Sequence, residues 1–349
     1  MLPAPVLEQA RDELPDWRGS GMSVMEISHR SKAFMAVAAE AEALLRELLG
    51  VPANYKVLFV QGGATAQFAA IPMNLARADS SVDYLNTGAW SKKAIGEARR
   101  FVGRVNIGAD EASGSYTTVP DPQLLRLSAD AAYLHYTPNE TIGGVEFPYV
   151  PVSGAVPLVA DMSSTILSRP IDVSRFGLIY AGAQKNIGPA GLTVVIVRED
   201  LIGKARPGTP SVWDYKAMAD EGSMLNTPAT FAWYFAGLVF RWLKAQGGLA
   251  AIGARNRAKA QLLYGAIDAS GFYSNPVAVP ARSWMNVPFT LADPGLDQRF
   301  LAEAQAAGLT NLAGHRSVGG MRASLYNAMP HEGVAALVGF MQEFQRRYG

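Results

Sequence analysis

Between Ser31 and Leu49 apolar residues recur at helical spacing: Phe34, Val37, Ala38, Ala41, Leu44, Leu45 and Leu48 fall on one face. Gly50 and Pro52 follow and predict where that helix ends. The period then changes. Lys56–Val60 is short, apolar and bounded by turn residues, which predicts a strand. Gln61-Gly62-Gly63-Ala64-Thr65 predicts a tight turn, and a helical pattern resumes at Ala66. The alternation continues with strands predicted at Val82–Asn86, Ala131–Tyr136, Pro157–Ala160, Leu178–Ala183 and Thr193–Val197, and a helix at Ser91–Arg100. Several of these runs are apolar on both faces, as strands buried inside a parallel sheet must be. Strands alternating with helices predict an α/β sheet. A helix is predicted at Thr230–Lys244, and Gly247-Gly248 punctuates the chain after it. Beyond about residue 255 the pattern gives a helix, a strand near Trp284–Phe289, a helix at Gln298–Ala307, a strand at Met321–Leu325 and a terminal helix. The expectation is a large α/β domain over 4–254 and a small C-terminal α+β domain over 255–349, with the extreme N-terminus packed on the small one.

A chain of 349 residues suits two domains of roughly 100–200 residues each and can bury its core without metals or disulfides. Charged residues make up 17%, below the roughly 25% of an average soluble domain, which points to extra buried surface such as an obligate dimer has. Thirty-one basic residues nearly balance 30 acidic ones and no basic block stands out, so a nucleic-acid partner is not expected. The absence of cysteine excludes disulfides, zinc–thiolate sites and thiol nucleophiles. The stretch Met1–Glu13 carries Glu8, Arg11, Asp12 and Glu13 instead of an apolar signal core. Phe231–Leu243, the most apolar stretch, is far short of the about 20 residues of a membrane span and holds Arg241. A cytoplasmic protein with no membrane partner is expected.

Four places could carry chemistry. Gly62-Gly63-Ala64-Thr65 lies between a strand and a helix, where free N–H groups and a positive helix end can receive a phosphate. Alone it reads better as an ordinary turn, being neither a dinucleotide fingerprint nor a P-loop. Lys185 follows an apolar strand and precedes Gly188, Pro189 and Gly191. At the carboxyl end of a sheet strand, partial desolvation would lower its pKa and free the amine for imine chemistry, although most strand-end lysines simply face solvent. Asp161 closes the run Leu158–Asp161 just before Ser163 and could hold a proton on a pyridine nitrogen, or could merely cap a turn. Trp90 could stack on an aromatic cofactor or fill a core. Together, a phosphate cup, a carboxylate and an amine at successive strand ends of one sheet suit a phosphorylated pyridine aldehyde.

These residues lie in long runs that resemble the phosphoserine aminotransferase family of pyridoxal-phosphate enzymes, nearly end to end. The runs are Gly21–Arg30 (GMSVMEISHR), His135–Thr141 (HYTPNET), Tyr180–Pro189 (YAGAQKNIGP), Asn226-Thr227-Pro228 and Gly314–Arg322 (GHRSVGGMR). The resemblance implies fold type I, in which a mainly parallel, seven-stranded-type sheet is flanked by helices. It implies pyridoxal 5′-phosphate as cofactor, with Lys185 as the Schiff-base lysine, Asp161 as the pyridinium partner and Trp90 as the stacking residue. Thr141 and Ser163 would also contact the cofactor, and Ala64, Thr65 and Gln184 would hold its phosphate. Asn226 and Thr227 would reach that phosphate from the other subunit of a homodimer with shared active sites. Arg30 would grip the amino-acid carboxylate, and His29, His315, Arg316 and Arg322 would receive the substrate's phosphate or side-chain carboxylate. There are two departures from the family pattern. An Asn-Phe-x-Ala-Gly-Pro-like stretch that usually precedes Leu2-Pro3 and supplies a substrate contact does not occur in this sequence. Thr65 stands where some relatives have arginine, which shifts phosphate binding toward backbone N–H groups and hydroxyls.

The implied reaction transfers an amino group from L-glutamate to 3-phosphohydroxypyruvate, giving O-phospho-L-serine and 2-oxoglutarate in serine biosynthesis. The family also acts on the 4-phosphohydroxythreonine couple of pyridoxine biosynthesis, a second activity open here. An alternative is an aminotransferase of the serine or alanine–glyoxylate type, although small neutral substrates do not call for His315, Arg316 and Arg322. A non-catalytic binder of the cofactor is a further alternative, disfavoured by the intact set of Lys185, Asp161 and Trp90. A cysteine desulfurase lacks its nucleophile here.

Overall fold

The computed structural model describes residues 1–349. In chain order its helices are α1 Ala4–Glu13, α2 Lys32–Leu49, α3 Gly63–Leu75, α4 Ala89–Ala98, α5 Tyr215–Asp220, α6 Thr230–Ala245, α7 Gly248–Asp268, α8 Asp297–Ala306 and α9 His331–Tyr348. Its strands are β1 Tyr55–Val60, β2 Ser81–Asn86, β3 Arg104–Asp110, β4 Leu134–Tyr136, β5 Asn139–Glu140, β6 Val145–Glu146, β7 Leu158–Asp161, β8 Leu178–Gly182, β9 Thr193–Arg198, β10 Tyr273–Ser274, β11 Asn286–Leu291 and β12 Met321–Ser324. Seven strands form the main sheet in the order β1-β9-β8-β7-β4-β2-β3. Only β9 opposes its neighbours β1 and β8, so the other six strands share one direction and end at one edge.

The strict two-residue period of the strands divides the interior into two cores. Val57 and Phe59 of β1, Leu158 and Ala160 of β7, and Ile179 and Ala181 of β8 face one way. Leu58 and Val60, Val159, and Leu178 and Tyr180 face the other. The first face is covered by α2 and α6. Ser31 caps α2 by accepting from the Phe34 N–H at 3.2 Å, and Gly50 ends it in a left-handed conformation at φ 62°. On α6, Trp233 stacks on Phe59 with ring centres 4.4 Å apart, an arrangement that adds about 0.5–1.5 kcal/mol to the burial itself. Gly237 lies against Ala41 of α2 so closely that an added Cβ would come within 3.3 Å, which would push the two helices apart.

Strands β10, β11 and β12 form a smaller antiparallel sheet. It packs with α7, α8 and α9 around a third core that includes Phe289, Phe300, Met321 and Phe344. Helix α7 is continuous through residue 254. Leu249 and Ile252 belong to the large core, whereas Ala260, Leu263 and Ile267 belong to the small one. The first helix packs on α6, and its Val6 and Ala10 join the large core. Helix α1, inside the range 4–254 read as the large domain, thus has its apolar face covered by α6. The extreme residues Met1, Leu2 and Pro3 line a crevice between the two domains, with Lys185, Val239 and Trp242 on one side and Asn327 and Ala328 on the other.

Candidate active site

Because six strands end at one edge, the loops that follow β1, β2, β4, β7 and β8 converge there, where open α/β sheets bind ligands. One cavity at this edge is lined by Gly63, Ala64, Thr65, Trp90, Thr141, Asp161, Ser163, Gln184 and Lys185, together with Thr137, Asn139 and Ser164. Every strand-end residue singled out in the sequence is present. At the turn after β1, Gly62 adopts φ 100°, and a Cβ there would come 2.5 Å from that of Ala66. Glycine therefore lets the chain enter α3 directly, with the N–H groups of the first turn free to face the cavity.

Lys185 lies in the turn after β8, half-buried, and its Nζ donates to the Thr141 hydroxyl at 2.7 Å. The same amine is 5.8 Å from the centre of the Trp90 ring. Burial pushes its pKa down to about 8; the charge of Arg322 acts in the same direction, and Asp161 and Glu140 oppose it. Asp161 ends β7 and is 5% exposed. Its Oδ1 accepts from the Ser163 hydroxyl at 2.6 Å and from the Ser163 N–H at 3.0 Å. Burial raises the Asp161 carboxyl, against the opposing influence of Ser163, Lys185 and Tyr180. The Ser163 hydroxyl also accepts from the Gly182 N–H at 3.1 Å, which ties β7 to β8 and fixes the carboxylate plane.

Several contributors were not anticipated. Glu140, in β5, is 1% exposed and accepts from the N–H groups of Trp90 and Ser91 at 2.9 and 2.8 Å. Behind Asp161, Tyr180 meets the His135 Nε2 at 2.9 Å, and burial drives that imidazole's pKa down to about 3, keeping it neutral. Thr137 Oγ1 and Asn139 Oδ1, both buried on residues that line the cavity, have no partner. The run HYTPNET contains His135, Thr137, Asn139 and Glu140, but nothing in its spacing distinguishes a buried glutamate from a surface one.

The remaining expected residues lie outside the cavity of this chain. Asn226 and Thr227 are exposed on the far side of the glycine turn, where the Thr227 carbonyl accepts from Gln61 at 3.3 Å. Arg30 is exposed, and the Nε2 of its half-buried neighbour His29 has no partner. His315 and Arg316 belong to a loop of the small domain in which His315 Nδ1 pairs with the Ser317 hydroxyl at 2.7 Å. Arg322, on β12 opposite Pro288, approaches closely enough for its charge to act on Lys185, and its Nε is buried without a partner.

The donor set fits pyridoxal phosphate. A buried carboxylate, an amine of lowered pKa, a flat indole wall and a helix start with free N–H groups all border one cavity. Groups of acidic residues and histidines spaced to hold a metal ion are absent. No helix is long and apolar enough to cross a membrane.

Comparison with known proteins agrees with this geometry. The pattern of the aminotransferase class-V family matches residues 1–337. A phosphoserine aminotransferase of Azotobacter vinelandii is 64% identical over 348 residues, covering 100% of this chain and 96% of its own. Among solved structures, the phosphoserine aminotransferase of Bacillus circulans subsp. alkalophilus superposes with a TM-score of 0.98 at 48% identity, covering 100% of this chain and 97% of that one. A pyridoxal-phosphate-bound phosphoserine aminotransferase from Trichomonas vaginalis gives 0.93 at 45% identity, over 98% and 97% of the two chains.

Proposed function

The chain belongs to the class-V aminotransferase family, and from that footing we infer that it is a phosphoserine aminotransferase with pyridoxal 5′-phosphate as its cofactor. It moves an amino group between L-glutamate and 3-phosphohydroxypyruvate, giving O-phospho-L-serine and 2-oxoglutarate. The observation that carries this reading is the meeting of Lys185, Asp161, Trp90 and the Gly63–Thr65 helix start in one cavity.

When bound, pyridoxal phosphate supplies an aldehyde that takes up the amino group and a pyridine ring that accepts the electron pair left at the substrate α-carbon. Lys185 would hold the cofactor, and its amine can move the α-carbon proton, as base and then as acid. A pKa of about 8 leaves a useful fraction of its amine neutral near physiological pH. Asp161 would hold a proton at the ring nitrogen, and Ser163 holds Asp161. Trp90 provides the wall, and Thr141 keeps the amine in place between uses. Ala64, Thr65 and Gln184 receive the cofactor's phosphate at the positive end of α3.

Both substrates are polyanions, so one cationic cluster must accept a carboxylate in one half-reaction and a phosphate in the other. Arginine forks suit both groups. We assign Arg30 to the amino-acid carboxylate, and His29, His315, Arg316 and Arg322 to the second anion. Asn226, Thr227, His315 and Arg316 lie outside the cavity of their own chain, and we read them as serving the partner's site in a homodimer. A cytoplasmic location accords with this chemistry. The test is a half-reaction titration. Glutamate should bleach the yellow holoenzyme, and 3-phosphohydroxypyruvate should restore the colour. Restoration by glyoxylate alone would replace this reading with the alanine–glyoxylate type.

A further inference from the structure

Helix α4 begins at a residue that cannot cap it. Gly88 occupies the N-cap position and has no side chain to offer the N–H groups of Trp90 and Ser91. Glu140, 52 positions along the chain and on a different element, performs that task. Its Oε2 accepts from the Trp90 N–H at 2.9 Å and its Oε1 from the Ser91 N–H at 2.8 Å. The carboxylate occupies the space a residue-88 side chain would need, since a Cβ on Gly88 would come 2.6 Å from Glu140 Cγ and Cδ. Glycine at 88 and glutamate at 140 thus form a matched pair.

A local cap would stabilise α4 equally well, but it would leave the helix start referenced only to itself. Capping from β5 references it to the segment that handles the lysine. The next residue, Thr141, accepts from Lys185 Nζ at 2.7 Å, while the residue Glu140 holds, Trp90, presents its ring 5.8 Å from the same nitrogen. One dipeptide therefore fixes both the wall of the cavity and the amine that faces it. The charge has its own use. The N–H groups at the start of α4 carry positive partial charge beside an ammonium, and a buried carboxylate between them offsets it.

We propose that Glu140 is a positioning residue for the cofactor ring: by holding the Trp90 backbone from the residue next to Thr141, it sets the indole plane against which the ring stacks. The proposal rests on pyridoxal phosphate being the occupant of the cavity. If Glu140 acts through Trp90, removing the indole should make Glu140 nearly irrelevant to cofactor binding. Binding of pyridoxal phosphate to cofactor-free protein is therefore measured, by fluorescence or absorbance titration, for wild type, E140Q, W90A and the double variant. Melting temperatures are taken alongside. A glutamine can satisfy only one of the two N–H groups and turns its own NH₂ toward the other. The expected outcome is a loss of affinity of about tenfold for E140Q in the wild-type background and of less than about threefold in the W90A background. The near-ultraviolet circular dichroism of the bound cofactor should shrink with E140Q, reporting a displaced ring. Equal losses in both backgrounds, or unchanged affinity and dichroism with only a lowered melting temperature, would reduce Glu140 to a helix cap and overturn the proposal. Should E140Q fail to fold, E140D serves instead. It keeps the charge on a shorter arm and should show the same dependence on Trp90 at smaller size, and additivity there overturns the proposal as well. Failure of wild-type protein itself to bind pyridoxal phosphate would sink the cofactor assignment and this inference together, an outcome distinguishable from additive losses in a protein that binds it.

Discussion

The amine of Lys185 and the hydroxyl of Thr141 are joined by a 2.7 Å hydrogen bond. The lysine is thus held at the cavity wall before any ligand arrives, in surroundings that bring its pKa down to about 8. The neutral amine is the nucleophile, and its fraction grows as pH rises through that value. Covalent capture of pyridoxal phosphate by cofactor-free protein should therefore accelerate with pH and level off above about 8. An ordinary lysine, with a pKa of about 10.4, would still be gaining rate two units higher. Stopped-flow absorbance across pH reads this directly. Borohydride reduction followed by peptide mapping should mark Lys185, and Lys185→Ala should abolish transamination while leaving noncovalent binding. Label on another lysine removes the assignment.

Asp161→Asn should fold normally, because the amide can still accept from Ser163 through its oxygen. It cannot hold the ring nitrogen protonated. Loss of one charge-assisted contact in a dry site costs about 2.7–4 kcal/mol, or about 10²–10³ in rate. Single-turnover kinetics with glutamate measures this. A variant within a few-fold of wild type would leave Asp161 a purely structural role.

What could be read in the sequence follows the physics of burial. Strands β1, β7, β8 and β9 are apolar on both faces and bounded by turns, and the residues at their ends, Asp161 and Lys185, fall where the pattern places them. Strand β3 is the outer strand of the sheet and only partly buried; its sequence RVNIGAD carries no continuous apolar run to signal it. The pair β5 and β6 is too short for any period, two residues each. Helix α7 begins at Gly248, inside a glycine pair that reads as a break, because Gly247 and Gly248 both take positive φ, 92° and 69°, and the helix follows directly from that turn. Glu140 escaped notice because its partners are backbone N–H groups 49 and 50 residues earlier, a relationship only the fold creates.

Arg316→Ala should penalise phosphorylated acceptors selectively. In the assignment above, its guanidinium meets a phosphate that glyoxylate lacks. The ratio of kcat/KM for 3-phosphohydroxypyruvate to that for glyoxylate should fall by about tenfold or more, the scale of one charge-assisted hydrogen bond. A ratio that stays constant while both values drop would place Arg316 outside the anion pocket.

The exposure of Arg316 outside its own cavity leads to a sharper test of subunit sharing. Lys185→Ala, inactive alone, and Arg316→Ala, slowed about tenfold or more on the phosphorylated acceptor, are refolded together in equal amounts. Random pairing across a two-fold interface makes about half the dimers mixed. If sites are shared, one site of each mixed dimer collects both defects and the other is intact, so activity recovers to about a quarter of wild type. With subunit exchange verified by mass, no recovery would mean that each chain uses its own Arg316.

The most direct measurement of the central claim is product formation by purified holoenzyme supplied with L-glutamate and either 3-phosphohydroxypyruvate or hydroxypyruvate, two acceptors that differ only in the phosphate. The proposed assignment of His29, His315, Arg316 and Arg322 to the second anion predicts O-phospho-L-serine and 2-oxoglutarate in equal amounts, with kcat/KM higher for the phosphorylated acceptor by at least about 10², since removal of the phosphate leaves the arginine donors unpaired. Equal efficiency with both acceptors, or 2-oxoglutarate formed only with the unphosphorylated one, would contradict the account.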